Sequence, residues 1–168
     1  MRRFLALMIA AVALAACGSS GSSSVTITTV PQPAASPPPT TGAIGTKPTV
    51  TVPDTPPPAT LQSTDLVTGT GTAAQAGDSI TVQYVGVSYT TKKQFDASWD
   101  HGQPVTFSLQ QGQLIDGWVQ GIPGMKVGGR RQLVIPPGLA YGASPPPGSG
   151  IPANDTLIFV IDLVKIGA

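Results

Sequence analysis

The sequence predicts an α+β domain: an antiparallel sheet of about five strands wrapped around one short helix, preceded by a signal peptide and a disordered Pro/Ser/Thr-rich linker. Three observations predict it. Several short segments after residue 61 alternate apolar and polar residues with period two, the mark of half-buried strands. One stretch only, Gln113 to Met125, has room for a helix, and its glycines and proline limit that helix to about two turns. Composition changes sharply near residue 60, from Ser, Thr, Pro, Ala and Gly to a mixture able to build a core.

The chain has 168 residues, a formal net charge of +1 and 10% charged residues, and it contains no glutamate. Its adjacent basic pairs are Arg2-Arg3, Lys92-Lys93 and Arg130-Arg131, with no clustered basic face, so no nucleic-acid partner is expected. At the start, Arg2 and Arg3 precede an apolar run from Phe4 to Leu14. That run has the length of a secretory h-region and is too short for a mature membrane span. Leu14-Ala15-Ala16-Cys17 is similar to a bacterial lipobox, and Cys17 is the one cysteine of the chain. Residues 1–16 are therefore predicted to be a lipoprotein signal peptide, with Cys17 as the lipidation site. The expected location is the outer face of the cytoplasmic membrane, or the outer membrane in a Gram-negative envelope. Residues 17–60 are predicted to be a disordered tether, because ten of the eighteen prolines lie between Pro31 and Pro58 and little apolar surface accompanies them.

Residues 61–168 form the predicted domain. Asp65-Leu66-Val67 opens the sheet, and Ile80 to Tyr84 and Val105 to Leu109 alternate. Gln132 to Ile135 is a third full strand, ended by Pro136-Pro137. The closing strand, Leu157 to Ile166, turns Leu157, Phe159, Ile161 and Leu163 one way and Ile158, Val160, Asp162 and Val164 the other. The helix carries Trp118, with Asp116 in its first turn, where the helix dipole favours an acid.

The chemistry inventory is thin. The lone histidine, His101, sits in a polar Asp-His-Gly turn and reads as solvated. No G-x-S-x-G elbow occurs, and the aspartates lack metal-ligand spacing, so no nucleophile, metal or cofactor is expected. "GTGTAA", Gly69 to Ala74, lacks the strand-turn-helix setting of a dinucleotide fingerprint and reads as a turn. What remains is a set of aromatic and aliphatic side chains, several of them in turn-rich segments. An apolar pocket with a few polar groups follows from that pattern.

The segments "AGDSITVQYVG", "KKQFDASW", "PVTFSLQQGQLIDGWVQGIPGMKVGGRRQLVIPPGLAYG" and "IPANDTLIFVIDLVKI" occur in one order and cover nearly all of residues 65–166. Together they resemble the FKBP-type peptidyl-prolyl cis–trans isomerases. The resemblance implies an FKBP-like fold and a catalytic set of Tyr84, Phe95, Asp96, Ile115, Trp118, Tyr141 and Phe159. Phe107, Leu114, Ile151 and Val105 would complete substrate binding. In that scheme Trp118 lies under the substrate proline, and the Ile115 amide and Tyr141 hydroxyl donate to substrate carbonyls. Asp96 orients the Tyr84 hydroxyl. The partners implied are proline-containing unfolded or nascent exported polypeptides and macrolide inhibitors, with a membrane reached through the lipid anchor and the protein a monomer. The alternative from another class is a non-enzymatic peptide-binding or chaperone lipoprotein. This chain departs from the family pattern at Val105, where many members carry an aromatic, at His101, near a frequent arginine, and at Gly150, in a proline-stiffened loop that is one residue longer.

Overall fold

The computed structural model describes residues 44–167 and the backbone of Thr40 and Thr41. The predicted signal peptide and the lipidation site at Cys17 lie outside the described residues. In chain order the strands are β1 (Thr40–Thr41), β2 (Thr49–Val50), β3 (Gln62–Val67), β4 (Ser79–Ser88), β5 (Gln94–Ala97) and β6 (Val105–Ser108). The helix α1 (Asp116–Gly121) follows, then β7 (Arg130–Ile135) and β8 (Leu157–Gly167). Short 3-10 turns occupy Ser98–His101 and Pro137–Leu139. Every strand predicted from alternation is present. β5 is an addition: its four residues are too few for a period-two signal to stand out.

The main sheet is antiparallel in the order β3-β7-β8-β4-β5, with β6 also on β4. β8 runs along one edge of β4 from Ser79 to Ser88. The other edge is shared: β6 pairs with Ser79 to Val82 and β5 with Val85 to Val87. Six strands thus fill five positions. β5 and β6 thus follow one another along that edge, and the site described below takes residues from both.

Alternation places the core. Ile80, Val82 and Tyr84 of β4, Leu133 and Ile135 of β7, and Leu157, Phe159, Ile161 and Leu163 of β8 share one buried cluster with Trp118, Ile122 and Met125. The β8 residues divide between the faces as their spacing predicts. Helix α1 lies very close to this face. A Cβ on Gly117 would come within 2.3 Å of Ile135 Cγ2, and one on Gly121 within 2.7 Å of Leu133 Cδ2. Those two glycines, four apart, share the face of α1 that meets β7. A larger residue at either position would force the Ile135 or Leu133 side chain, or the helix itself, to shift.

The adjacent arginines split between the two faces because strand side chains alternate. Arg131 points inward and is buried. Its Nη1 donates to the carbonyl of Gly121 at 2.9 Å, and its Nε to Asp65 Oδ1 at 2.6 Å. It thereby satisfies carbonyls that the end of α1 leaves open and ties the helix to β3 and β7. Arg130 points outward and makes a two-point pair with Asp162, at 2.5 and 2.6 Å, both side chains buried.

What buries the outward pair corrects the predicted domain boundary. Composition places residues 17–60 in a solvated tether. The structure instead seats residues 46–55 as a strap across the outer face of the sheet. Val52 is buried in a second cluster with Val85, Val87, Tyr89, Ala97, Val134 and Ile158, and Val50 and Trp99 pack beside it. Arg130 Nη2 donates to the Thr46 carbonyl at 2.8 Å, and the Tyr89 hydroxyl to the Thr55 carbonyl at 2.9 Å. Lys47 pairs with Asp100 at 2.5 Å and Lys92 with Asp54. The prolines favour extended backbone, and two well-placed valines meet an apolar face that composition averaging cannot register. Burying a charge at Val52 would leave it without a partner. Val52→Asp should lower stability by about 1–3 kcal/mol, read as a lower urea midpoint. An unchanged midpoint would mean that the strap contributes nothing to the domain.

Candidate binding and catalytic site

A cavity of about 550 Å³ opens on the inner face of the sheet. Its lining includes nine of the eleven site residues named from sequence: Tyr84, Phe95, Asp96, Phe107, Leu114, Ile115, Trp118, Tyr141 and Phe159. Val105 and Ile151 stand outside the lining and pack, half-buried, against the core. Gly112, Gln113, Asp116 and Ala140 also line the cavity and were not foreseen. Gln113, Asp116 and Ala140 each adjoin a named residue in the chain and Gly112 lies two before Leu114, so chain neighbourhood is the signal that finds them.

The floor is the indole of Trp118, only 3% exposed. Tyr84, Phe107 and Phe159 meet it edge-on, with ring centroids at 5.4, 5.6 and 5.3 Å and interplanar angles of 83°, 84° and 88°. Edge-to-face packing sets positive ring edges against negative faces. Three such contacts together hold the indole plane. The Trp118 Nε1 is buried with no hydrogen-bond partner among the described residues. Phe95 joins the ring set through Phe159, edge-on at 5.6 Å. Gly86 permits this, since a Cβ there would lie 2.6 Å from Phe95 Cζ.

Polar groups sit at the wall. The Tyr84 hydroxyl donates to Asp96 Oδ2 at 2.6 Å. At its other end the Tyr84 backbone N–H donates to the buried Ser98 Oγ at 2.8 Å. Tyr84 is thus held at one end by β5 and at the other by the 3-10 turn that follows it. Burial, then the hydrogen bond to Asp96 and its charge, hold the Tyr84 phenol well above its usual range. Burial and the Asp96 charge likewise raise the Tyr141 phenol. The Tyr141 hydroxyl makes no hydrogen bond among the described residues, so its proton is available to a ligand. Its backbone is fixed on both sides: the Gly142 N–H donates to the Pro137 carbonyl at 2.9 Å and the Asn154 N–H to the Gly142 carbonyl at 2.7 Å.

Ile115 is the residue before α1, with extended φ and ψ of −63° and 145°. Its carbonyl accepts the Trp118 N–H at 3.0 Å and starts the helix. A left-handed turn at Gly112, φ 79°, brings Leu114 and Ile115 to the rim. His101 is exposed, with Nε2 4.0 Å from Asp96 Oδ1. Among the described residues, no group of three His, Cys, Asp or Glu side chains converges as a metal site would require. The Gly69 to Ala74 turn packs by backbone against Lys126 to Gly129, and the Gly71 N–H donates to the Val127 carbonyl at 3.0 Å. The arrangement can therefore enclose a small apolar ring, present a hydroxyl donor beside it and exclude water from the floor.

Residues 70–164 match the family model described as FKBP-type peptidyl-prolyl cis-trans isomerase. The chain is similar to an FK506-binding protein of Streptomyces anulatus, 52% identical over 71% of this chain and 97% of the relative. A probable FK506-binding protein of Corynebacterium glutamicum is 50% identical over 71% of this chain and 98% of its own length. Among solved structures, AtFKBP13 superposes with a TM-score of 0.58 at 38% identity, covering 64% of this chain and 93% of that one. FkpA of Escherichia coli gives a TM-score of 0.57 at 39% identity, covering 63% of this chain and 47% of that one.

A phenol whose pKa rises on folding contributes stability that is present below its unfolded value, about 10, and is lost as pH climbs beyond it. Asp96→Asn removes the charge and weakens the bond while leaving Tyr84 buried. In an absorbance titration of the phenols, the Tyr84 step should move part of the way back toward its ordinary range. A titration curve identical to that of the parent would refute the role given to Asp96.

Proposed function

The chain belongs to the FKBP-type peptidyl-prolyl cis–trans isomerase family and is such an isomerase, and on that premise we propose that the aromatic cavity is where it binds and turns X–Pro bonds. The observation that carries the reading is the edge-on ring set around Trp118, which leaves an apolar floor beside the unpaired Tyr141 hydroxyl.

The chemistry needs no nucleophile. Resonance holds a peptide bond planar with a rotation barrier of about 18–20 kcal/mol. X–Pro bonds hold both isomers and exchange in roughly tens to hundreds of seconds. In the twisted state the C–N bond is single-like and the carbonyl less charge-separated. Water favours the planar, more dipolar amide. A dry ring-lined cavity withdraws that preference, so it lowers the twisted state relative to the planar one. In this scheme the proline ring rests on Trp118, with Phe95, Phe107 and Phe159 around it. The Tyr141 hydroxyl and the Ile115 N–H donate to carbonyls flanking the bond, holding one side while the other rotates. Asp96 acts through Tyr84, fixing its hydroxyl and the wall it forms. At about 1.4 kcal/mol per tenfold, an acceleration of about 10⁵ asks for about 7 kcal/mol. The same cavity would take a macrolide of the FK506 kind, as the names of the bacterial relatives indicate for those proteins.

We propose further that the enzyme works on exported polypeptides from a lipid anchor at Cys17. This rests on the n-region, the apolar run and the lipobox-like Leu-Ala-Ala-Cys. Residues 18–39, ahead of the paired β1, would give the domain a reach of up to about 66 Å when extended, at roughly 3 Å per residue.

The test of the site is proline isomerisation by the full chain on a short X–Pro peptide. Trp118→Ala should lower kcat/KM by at least about 10-fold, the loss of about 1.4 kcal/mol of transition-state stabilisation, while near-ultraviolet circular dichroism checks the remaining fold. Asp96→Ala should cost less, because it acts through Tyr84. Turnover untouched by both would remove the cavity as the site. For the anchor, Cys17→Ser should move the protein from the membrane fraction to the soluble one, and unchanged membrane retention would refute it.

A further inference from the structure

The charge at the mouth of the cavity has one sign. Asp96 and Asp116 belong to its lining, and no lysine or arginine does. Asp116 is exposed, at the first position of α1, and has no hydrogen-bond or ion-pair partner among the described residues. Asp96 accepts only the neutral Tyr84 hydroxyl and lies 4.0 Å from His101 Nε2. Four cations of the described residues are committed elsewhere. Arg130 and Lys92 pair with Asp162 and Asp54, Arg131 with Asp65 at the far end of α1, and Lys47 with Asp100.

We infer that the cavity, taken as the X–Pro site proposed above, selects proline segments with a lysine or arginine adjacent to the proline and disfavours those with an acid there. The ring-lined cavity holds the proline, and the two carboxylates act on its neighbour. A cationic side chain beside the proline meets two acceptors with no competing cation in the lining. A carboxylate in the same place meets two like charges. Both aspartates reach solvent, so the bias is moderate and sensitive to salt. A single unit-charge contact near 4 Å in water corresponds to about a fivefold preference.

The experiment is exchange NMR of tetrapeptides that differ only at the residue before proline, with Lys, Gln or Glu, using the full chain. It is run at pH 8, above the range in which a histidine ordinarily carries charge. At low ionic strength, kcat/KM for the Lys peptide should exceed that for the Glu peptide by about 5- to 25-fold, one or two such contacts, with Gln between. High salt should shrink the ratio. Asp116→Asn should shrink it and Asp116→Lys should bring it to one or below. The ratio is taken within each variant, so a general loss of activity cancels. A wild-type ratio near one, or a ratio that survives both high salt and Asp116→Lys, would overturn the inference. The Gln peptide separates the two readings. If it is turned over without a Lys-to-Glu bias, charge selection alone falls. If no peptide is turned over, the cavity reading falls and takes the inference with it.

Discussion

The closeness of α1 to β7 is the constraint on which the rest depends. Gly117 and Gly121 let the Ile135 and Leu133 side chains lie against the helix, where a Cβ would have to displace them. A helix of six residues has little stability of its own. It persists because the sheet holds one side of it and Arg131 holds the carbonyls at its end. That clamp decides the height of Trp118 above the sheet, and so the depth of the cavity.

Core and site are consequently one set of residues. Trp118, Tyr84 and Phe159 are nearly inaccessible to solvent and belong to the main core cluster, yet the same rings form the cavity wall. A site made this way is rigid before any ligand arrives, because its side chains are already locked by packing. It also leaves little freedom to substitute, since a change that alters the wall alters the core. The polar elements escape this coupling. Asp116 stands at the rim and Tyr141 on a loop held by backbone hydrogen bonds, so charge and hydrogen bonding can vary while the ring set stays.

The outer face follows a different logic. Two buried charges, Arg130 and Asp162, sit on it. A buried pair carries a desolvation cost that good geometry must offset. The two-point contact and the Thr46 carbonyl supply that geometry. The strap therefore covers both an ion pair and an apolar cluster, and the folded unit begins well before residue 61. Its contacts with Asp100, Lys92 and Tyr89 also brace the β4–β5 hairpin, which carries Phe95 and Asp96.

Much of the fold was legible because strands announce themselves by alternation. Each of the long ones, β4, β7 and β8, carries enough residues for period two to stand out, and the even and odd positions of β8 sort onto the two faces as read. The short β5 and the docking of Val52 did not show. The first lacks length, and the second depends on an apolar face assembled from β4, β5, β7 and β8 that no local window contains. The residues around the candidate cavity were legible as an ordered set of motifs, and nine of the residues those motifs mark line it together. Its limits were not. Val105 and Ile151 turn to the core beside the cavity, and Asp116, read only as a helix-start residue, lines the cavity mouth. By itself the sequence determined the class of fold, the short helix with its tryptophan and the aromatic set, since those rest on local pattern and residue type. Tertiary structure alone decided how three rings meet one indole, which arginine caps the helix, where the strap lies and which charges remain unpaired. Those are distances between residues far apart in the chain, and no spacing along it encodes them.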